Sequence, residues 1–441
     1  MNNNLTLISL CFLIGCTATE EPLGFWLDKE PNVWPDWDGC ALPLSVEDSN
    51  VEYNRFEEER DADGEVQLLL RYTIRDATIS LEQALQLARD HSPALAAAQF
   101  RINAQQSLQS AVGQFPNPQV TLGNEKIGLS QPVILGQDLQ QQQNVGAAQL
   151  SVLAAELRSV QLQVDAQLRG TFSSLLMLQR AADLQQQLVE LSDNAVHITQ
   201  AQISAGELTA SALATSTTAA ALYQAQAKSV LRKLNTARRK LATLMNVDYH
   251  DLKVVGELDG ILKVPKLNEL LDQIEKLPII EKELSKVQVA KMQKDLAYAQ
   301  SIPNFDLELY YTSDEQIEAA VLFELPINGK SNARHSSAAQ QQQAARSTLM
   351  LRTQEARIAL QQMHADIERA TDAYSQVHDV MLANQQQVFD IASARFEAGD
   401  ISKQQLGAEQ MALLHVQLEE LQAWLQMMQS WQAIRSLLSV D

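Results

Sequence analysis

Aromatic side chains make up only 5% of the 441 residues, which argues against a core of large rings. Ala, Gln and Leu recur instead, a bias that favours long helices packed through small side chains. Basic residues are also short, 34 Lys and Arg against 54 Asp and Glu, for a net charge of −20. Phosphate binding draws on clustered Lys and Arg, and no basic stripe is present, so a nucleic-acid partner is excluded. A wide, acidic, solvated surface or lumen fits better. Long apolar runs are missing too. The longest, residues 5–15 (LTLISLCFLIG), falls short of the roughly 20 residues of a spanning helix and sits where the core of a signal peptide would sit. The sequence holds no phosphate-binding loop, no Cys/His cluster and no nucleophile motif. The expectation is a chain that is not an enzyme, with no cofactor, no metal and no catalytic residue. His364 with Glu368, and His415 with Glu419, have the i,i+4 spacing of one helix face. Solvated pairs account for them better than a metal site does.

The apolar run ends in Leu13-Ile14-Gly15-Cys16, which resembles the lipobox of bacterial lipoproteins. The resemblance implies that Cys16 carries lipid and becomes the first mature residue. Thr17 then allows sorting to the outer membrane. The opening Met1-Asn2-Asn3-Asn4 departs from a signal peptide by holding no Lys or Arg. With Cys11 lost and Cys16 lipidated, Cys40 stands alone and no intrachain disulfide framework can form. Residues 16–78 read as an extended tether, with Trp26, Trp34 and Trp37 among prolines and acids, then Glu57-Glu58-Glu59. At roughly 3.3 Å per residue such a segment could run down the side of a long protein. Its tryptophans either join a membrane-interface belt or staple the tether to the protein's flank.

From Ile79 the sequence repeats itself. Leu81-Glu82-Gln83-Ala84-Leu85 before Pro93 matches Leu267-Asn268-Glu269-Leu270-Leu271 before Pro278. Pro116-Asn117 matches Pro303-Asn304, Pro132 matches Pro326, and the segment around Gly206 matches that around Gly399. The offsets of the first two prolines are 185 and 187, and those of Pro132 and Gly206 are 194 and 193. The added residues therefore fall between the paired prolines. Two halves share one plan, a short helix, an extended segment, a long helix up to a glycine and a returning helix. The expected division is a signal over 1–15, the tether over 16–78, a first repeat over 79–246, a linker over 247–266 and a second repeat over 267–441.

Leu153, Leu157, Val160, Val164, Leu168, Phe172 and Leu175 advance by three or four, an amphipathic helical seam. Some 70 residues between Gly136 and Gly206 would make on the order of 100 Å of helix. So long a stripe needs coiled-coil neighbours, within the chain and from other copies. Gln140 to Gln143 and Gln340 to Gln343 read as solvated helix faces. In the second extended segment Phe305, Leu307, Leu309 and Tyr311 alternate with Asp306, Glu308 and Tyr310, and Val321, Phe323 and Leu325 alternate on the return. This is hairpin patterning with one apolar face.

The order and spacing of these features resemble the TolC-like outer-membrane factor family over roughly Ile79 to Val440. The residues that carry the resemblance are Ile79-Ser80-Leu81-Glu82-Gln83-Ala84-Leu85 with His91-Ser92-Pro93, Pro116-Asn117-Pro118, Ser130-Gln131-Pro132, and Ala394-Arg395-Phe396-Glu397-Ala398-Gly399. It implies a mainly α fold with a small β part, in which a homotrimer forms a twelve-helix coiled-coil barrel under a twelve-stranded β-barrel, each chain giving four strands. It also implies a passive conduit for efflux or secretion. Its partners would be a periplasmic adaptor (membrane fusion protein), an inner-membrane transporter of RND or ABC type, and outer-membrane lipid. The helix tips touching the adaptor would be Gly206, Glu207, Leu208 and Thr209, and Gly399, Asp400, Ile401 and Ser402. A plainer reading is that each glycine ends a helix. The membrane-facing residues would be Phe305, Leu307, Leu309, Tyr311, Val321, Phe323 and Leu325.

Two departures qualify the resemblance. Family members often carry an acidic residue about six positions past the tip glycine, where this chain has Ala212 and Gln405. Glu207 and Asp400 either supply charge at the mouth or are solvated tip residues. The first hairpin, confined to residues 119–131, leaves five or six residues per arm where a spanning strand needs about 9 to 11. A truncated barrel is expected, with the Cys16 lipid doing much of the anchoring. Two other functions stay open: delivery of lipid or lipoprotein cargo to the membrane, and a non-conducting lipid-anchored envelope spacer.

Overall fold

The computed structural model describes residues 51–52, 57–60, 66–69, 72–75, 78–123, 126–250, 252–258, 264–314, 316–323 and 329–438. The proposed signal, Cys16, the three tether tryptophans, Cys40 and Leu325 lie outside these residues. In chain order the strands and helices are β1 (Val51–Glu52), β2 (Glu57–Arg60), β3 (Val66–Leu69), β4 (Tyr72–Arg75), β5 (Thr78–Ile79), α1 (Leu81–His91), α2 (Pro93–Ala111), β6 (Gln119–Leu122), β7 (Lys126–Val133), α3 (Asp138–Ser204) and α4 (Ala210–Met245). The second half continues with β8 (Val247–His250), β9 (Lys253–Val254), α5 (Leu267–Leu271), α6 (Pro278–Ala299), β10 (Phe305–Thr312), β11 (Ile317–Phe323), α7 (Lys330–Ser375), α8 (Ala383–Glu397) and α9 (Lys403–Leu437). The two repeats are present, and the paired prolines explain one of their boundaries. Pro93 and Pro278 each occupy the first turn of a helix, where a missing N–H costs nothing.

The 67 residues of α3 amount to about 100 Å of helix. Its counterpart in the second repeat is α7 and α8 joined by a π-helical segment, Gln376–Leu382. A wider turn of this kind re-aims the side chains that follow it. Beside it the Tyr374 and His378 rings stack at 5.4 Å, and His378 Nδ1 meets Glu420 Oε1 of α9 at 2.5 Å.

The helices form a row four wide. Toward the β6–β7 and β10–β11 end the order is α2, α3, α6, α7, and toward the glycine end it is α4, α3, α9, then α7 with α8. Small residues let neighbours approach, as at the buried Ala98, Ala148 and Ala155. Polar side chains also cross between helices. Glu156 pairs with Arg101 of α2 and Lys282 of α6, and Gln105 donates to Gln149. The first glutamine run is partly occupied too, because Gln143 donates across to the Val112 carbonyl and Gln142 donates to Asp138 within α3.

The core lies at the waist, midway along the row. The seam read from the sequence deepens toward it, with Leu153 and Leu157 half-buried and Leu168 and Leu175 fully buried. Leu241, Leu277, Ile280, Leu360, Met427 and Ile434 complete the same cluster, and its few aromatic members include Phe172, Tyr374 and Trp424.

Strands also reach the waist, where Ile79 of β5, Val247 of β8 and Val254 of β9 belong to the same cluster. β4 pairs in parallel with β8, Tyr72 opposite Val247, and antiparallel with β1, while β5 pairs in parallel with β9. β2 and β3 form an antiparallel pair of their own. Where it is described, the stretch expected as an extended tether thus contains paired strands, and the linker region expected over 247–266 supplies partners for β4 and β5. The Gln179 side chain pins β9 to α3 by donating to the Val254 carbonyl and accepting from its N–H. His364 is buried, and its Nε2 lies 2.9 Å from the Pro265 carbonyl, with Nδ1 3.4 Å from Glu368. His415 meets the Tyr223 hydroxyl at 3.1 Å. Among the described residues no group of three or more metal-ligating side chains gathers, and no helix is long and apolar enough to cross a membrane.

Candidate functional site

At one end the two hairpins join into a single antiparallel sheet in the order β11, β10, β7, β6. Its arms are uneven, with 4 residues in β6, 8 in β7, 8 in β10 and 7 in β11. At about 3.4 Å per residue, eight residues reach roughly 27 Å and four roughly 14 Å. The first hairpin is short as expected, but its deficit falls on one arm.

Register decides what each face carries. Leu307 lies opposite Val321 and Gln131, and Leu309 opposite Ala319 and Leu129. Phe305 joins Phe323 and Val133, and Tyr311 joins Ile317 and Ile127. β6 then adds Val120 and Leu122 to the same face. Gln131 is its polar exception and donates to the Pro116 carbonyl. Most of this face is open, including Leu309, Tyr311, Val321, Phe323, Val120 and Leu122. The residues expected to face a membrane are thus together, apart from Leu325. Val120, Leu122, Ile127 and Leu129 belong with them and were missed. Their own alternation was the available signal, overlooked because the segment is so short.

The opposite face is mainly polar, with Asp306, Glu308 and Glu318 against Lys126 and Leu322 as its apolar exception. Tyr310 covers Gly128, where a Cβ would come within 2.5 Å of the ring. Lys126 Nζ lies 4.1 Å from the ring centroid, and the Tyr310 hydroxyl donates to Glu308 at 2.7 Å. That hydrogen bond raises the phenol above its ordinary pKa.

At the far end the two glycine turns are built alike. Gly206 has φ +78° and Gly399 φ +82°. The Gly206 N–H donates to the Ile203 carbonyl and the Glu207 N–H to Gln202. Gly399 and Asp400 repeat this with Phe396 and Arg395. Both are Schellman motifs, in which the left-handed glycine lets the chain turn back and satisfy the last carbonyls of a helix. Leu208 and the residues around both glycines are exposed, and Ile401 is half-buried.

No protein-family model matches the sequence, and no curated protein matches it. Solved structures do match. The open-state MtrE outer-membrane channel of Neisseria gonorrhoeae superposes with a TM-score of 0.66 at 16% identity, covering 81% of this chain and 88% of that one. CusC gives 0.64 at 13%, covering 80% and 91%, and the outer-membrane channel OprN gives 0.63 at 16%, covering 81% and 89%. The chain has the TolC-like fold.

The TolC-like frame gives the departures at the tips a structural account. Gln405 is the third residue of α9 and completes a capping box with Ser402, each side chain bonded to the other's backbone N–H. Ala212 holds the same position in α4, where Thr209 makes no side-chain cap. The second TolC-like tip is thus capped at both helix ends, and the first only at the end of α3.

A Cβ at Gly399 would meet open space, so the cost of replacement there is set by backbone alone. Gly399→Val is expected to destabilise the tip by about 1–2 kcal/mol. Hydrogen exchange should rise at residues 395–402 while the waist stays protected. Unchanged exchange at those residues would count against the turn described above.

Proposed function

We propose that three copies of this chain close into a tube that serves as the outer-membrane duct of a tripartite export system, for efflux or secretion. The reading rests on one observation: a four-stranded sheet that is apolar across one face and leaves β6 and β11 as unpaired edges. An open strand edge and an open apolar face are both costly in water. Closure in a ring, β6 of one copy antiparallel to β11 of the next, removes the first cost, and lipid removes the second. The helical row supports the same closure. Exposed Phe100, Leu108, Leu222 and Leu231 lie along one flank and Met350, Ile358 and Ile391 along the other.

The polar sheet face then lines the lumen. The tips at Gly206 to Thr209 and Gly399 to Ser402 dock on a periplasmic adaptor, which couples the duct to an inner-membrane transporter of RND or ABC type. Cys16 supplies a lipid anchor in the outer membrane, and most of the body lies in the periplasm. The conduit is passive and catalyses nothing itself.

The four-residue β6 favours a second reading, in which the barrel is too low to pierce the bilayer and the tube hands lipid or lipoprotein cargo to the membrane. Planar-bilayer recording of the purified oligomer decides between them. The duct predicts stepwise currents that favour cations, because Asp306, Glu308 and Glu318 outnumber Lys126 on the lumen face. Intact trimers that carry no current would overturn the duct and leave cargo delivery. Co-purification with an adaptor separates either reading from a lipid-anchored envelope spacer.

A further inference from the structure

We propose that the exposed side of α4 docks on the α7 flank of a second copy of this chain through a ladder of ion pairs that fixes the height at which the two copies meet. The ladder rests on the ring closure proposed above and adds to it the residues that set its register. α4 runs against the charge of the chain. In a protein of net charge −20 it carries Lys228, Arg232, Lys233, Arg238, Arg239 and Lys240 and no Asp or Glu. The whole-chain balance conceals this cluster, which was overlooked in the sequence. All but the half-buried Arg238 are exposed, and Leu234 and Leu241 bury the side of the helix away from Arg232 and Arg239.

The facing flank has the opposite sign. Asp366, Asp372 and Asp379 are exposed along α7 and the π-helical segment, as are Ile358 and Val380. Asp366 also holds Arg369, one turn away, so its rung is the weakest. Both sets recur at six or seven residues: Arg232 with Arg239, Lys233 with Lys240, and Asp366 with Asp372 and Asp379. Charges at about that interval flank the seams of coiled coils and choose the partner helix. Within one chain α4 and α7 are opposite edges of the row, with α3 and α9 between them, so only another copy can bring the two sets together.

Contacts inside the chain fix the heights. Tyr223, 17 residues past Gly206, meets His415, 16 past Gly399, at 3.1 Å. His378 and Glu420, each 21 residues from Gly399, meet at 2.5 Å. The two tips are therefore level, and rotation about a ring axis keeps them so in every copy. Lys228 lies 22 residues past Gly206, Arg232 and Lys233 lie 26 and 27, and Arg239 and Lys240 lie 33 and 34. Asp379, Asp372 and Asp366 lie 20, 27 and 33 residues before Gly399. The largest mismatch, two residues, is about 3 Å along a helix. Solvated pairs add little affinity one by one, but three in register disfavour every other alignment.

Cross-linking and charge reversal on the full-length protein in detergent test the ladder. In a Cys40→Ser background, Arg232→Cys with Asp372→Cys should join copies into covalent dimers and trimers through a bifunctional thiol reagent spanning about 8–10 Å, the separation of packed helices. Arg232→Cys with Glu355→Cys, 17 residues and about 26 Å farther along α7, should give at least ten-fold less. Asp372→Lys with Asp379→Lys should lower the recovered oligomer at least ten-fold at low salt, and Lys228→Glu with Arg232→Glu in the same chain should restore it. Intact oligomers without the height-selective cross-link, or a loss that the second pair of reversals leaves unrepaired, would overturn the ladder and leave ring closure standing. Unaltered protein that stays monomeric would overturn ring closure itself, and the ladder with it.

Discussion

Leu309→Lys should cut recovery of the oligomer from membranes at least ten-fold. Leu309 sits at the centre of the open apolar face, between Leu129 on β7 and Ala319 on β11. A lysine on the lipid face of a barrel costs about 2–4 kcal/mol near the bilayer mid-plane. Ring closure repeats the cost once per chain. Even the lower figure is roughly a thirty-fold loss per chain, since 1.4 kcal/mol is a factor of ten. Glu318→Lys is the matched control, because it places the same side chain on the polar face. Membrane-extracted oligomer should fall at least ten-fold for Leu309→Lys and stay near wild type for Glu318→Lys. Equal recovery of the two variants would mean that this face does not meet lipid.

Trp424→Ala should be the most damaging single truncation in the helical body. The side chain is 2% exposed and belongs to the waist cluster with Leu175, Leu360 and Met427. Emptying a buried Trp site costs about 3–5 kcal/mol, lost transfer energy plus the cavity left behind. Long helices packed on every side of the site limit how far it can collapse. Denaturant midpoints of the oligomer read the effect, with the 68%-exposed Tyr298→Ala as a control expected to change little. A Trp424→Ala loss below about 1 kcal/mol would show that the body is not held together at its middle.

Much of this architecture was legible in the sequence because its signals are local. Pro93 and Pro278 begin helices, Gly206 and Gly399 end them, and alternation from Phe305 to Tyr311 marks a strand whose apolar side is fixed by a two-residue period. Each of these is decided within a few residues of chain. What escaped reading is what distant residues decide together. Nothing near Leu129 announces Leu309 as its partner, and nothing near Tyr72 announces Val247. The π-helical segment has no counterpart in the first repeat, so the repeat itself predicted an uninterrupted helix. Arg89, Arg158, Arg169 and Arg435 are too scattered to register as a basic stripe, and only helix packing gathers them around one cavity. Gln405 was visible as a departure from the acidic pattern, but its capping role depends on where α9 starts.

The pairing of β4 with β8 also bears on how the protein is made. Tyr72 emerges early in synthesis and must wait for Val247, with the whole first repeat between them, before its strand has a parallel partner. Contacts of such long sequence separation form slowly, because a large loop has to close before any pairing is gained. Until then β4 presents an unsatisfied edge to whatever shares its compartment. By that measure the β4–β8 pairing cannot form before the whole first repeat has been made.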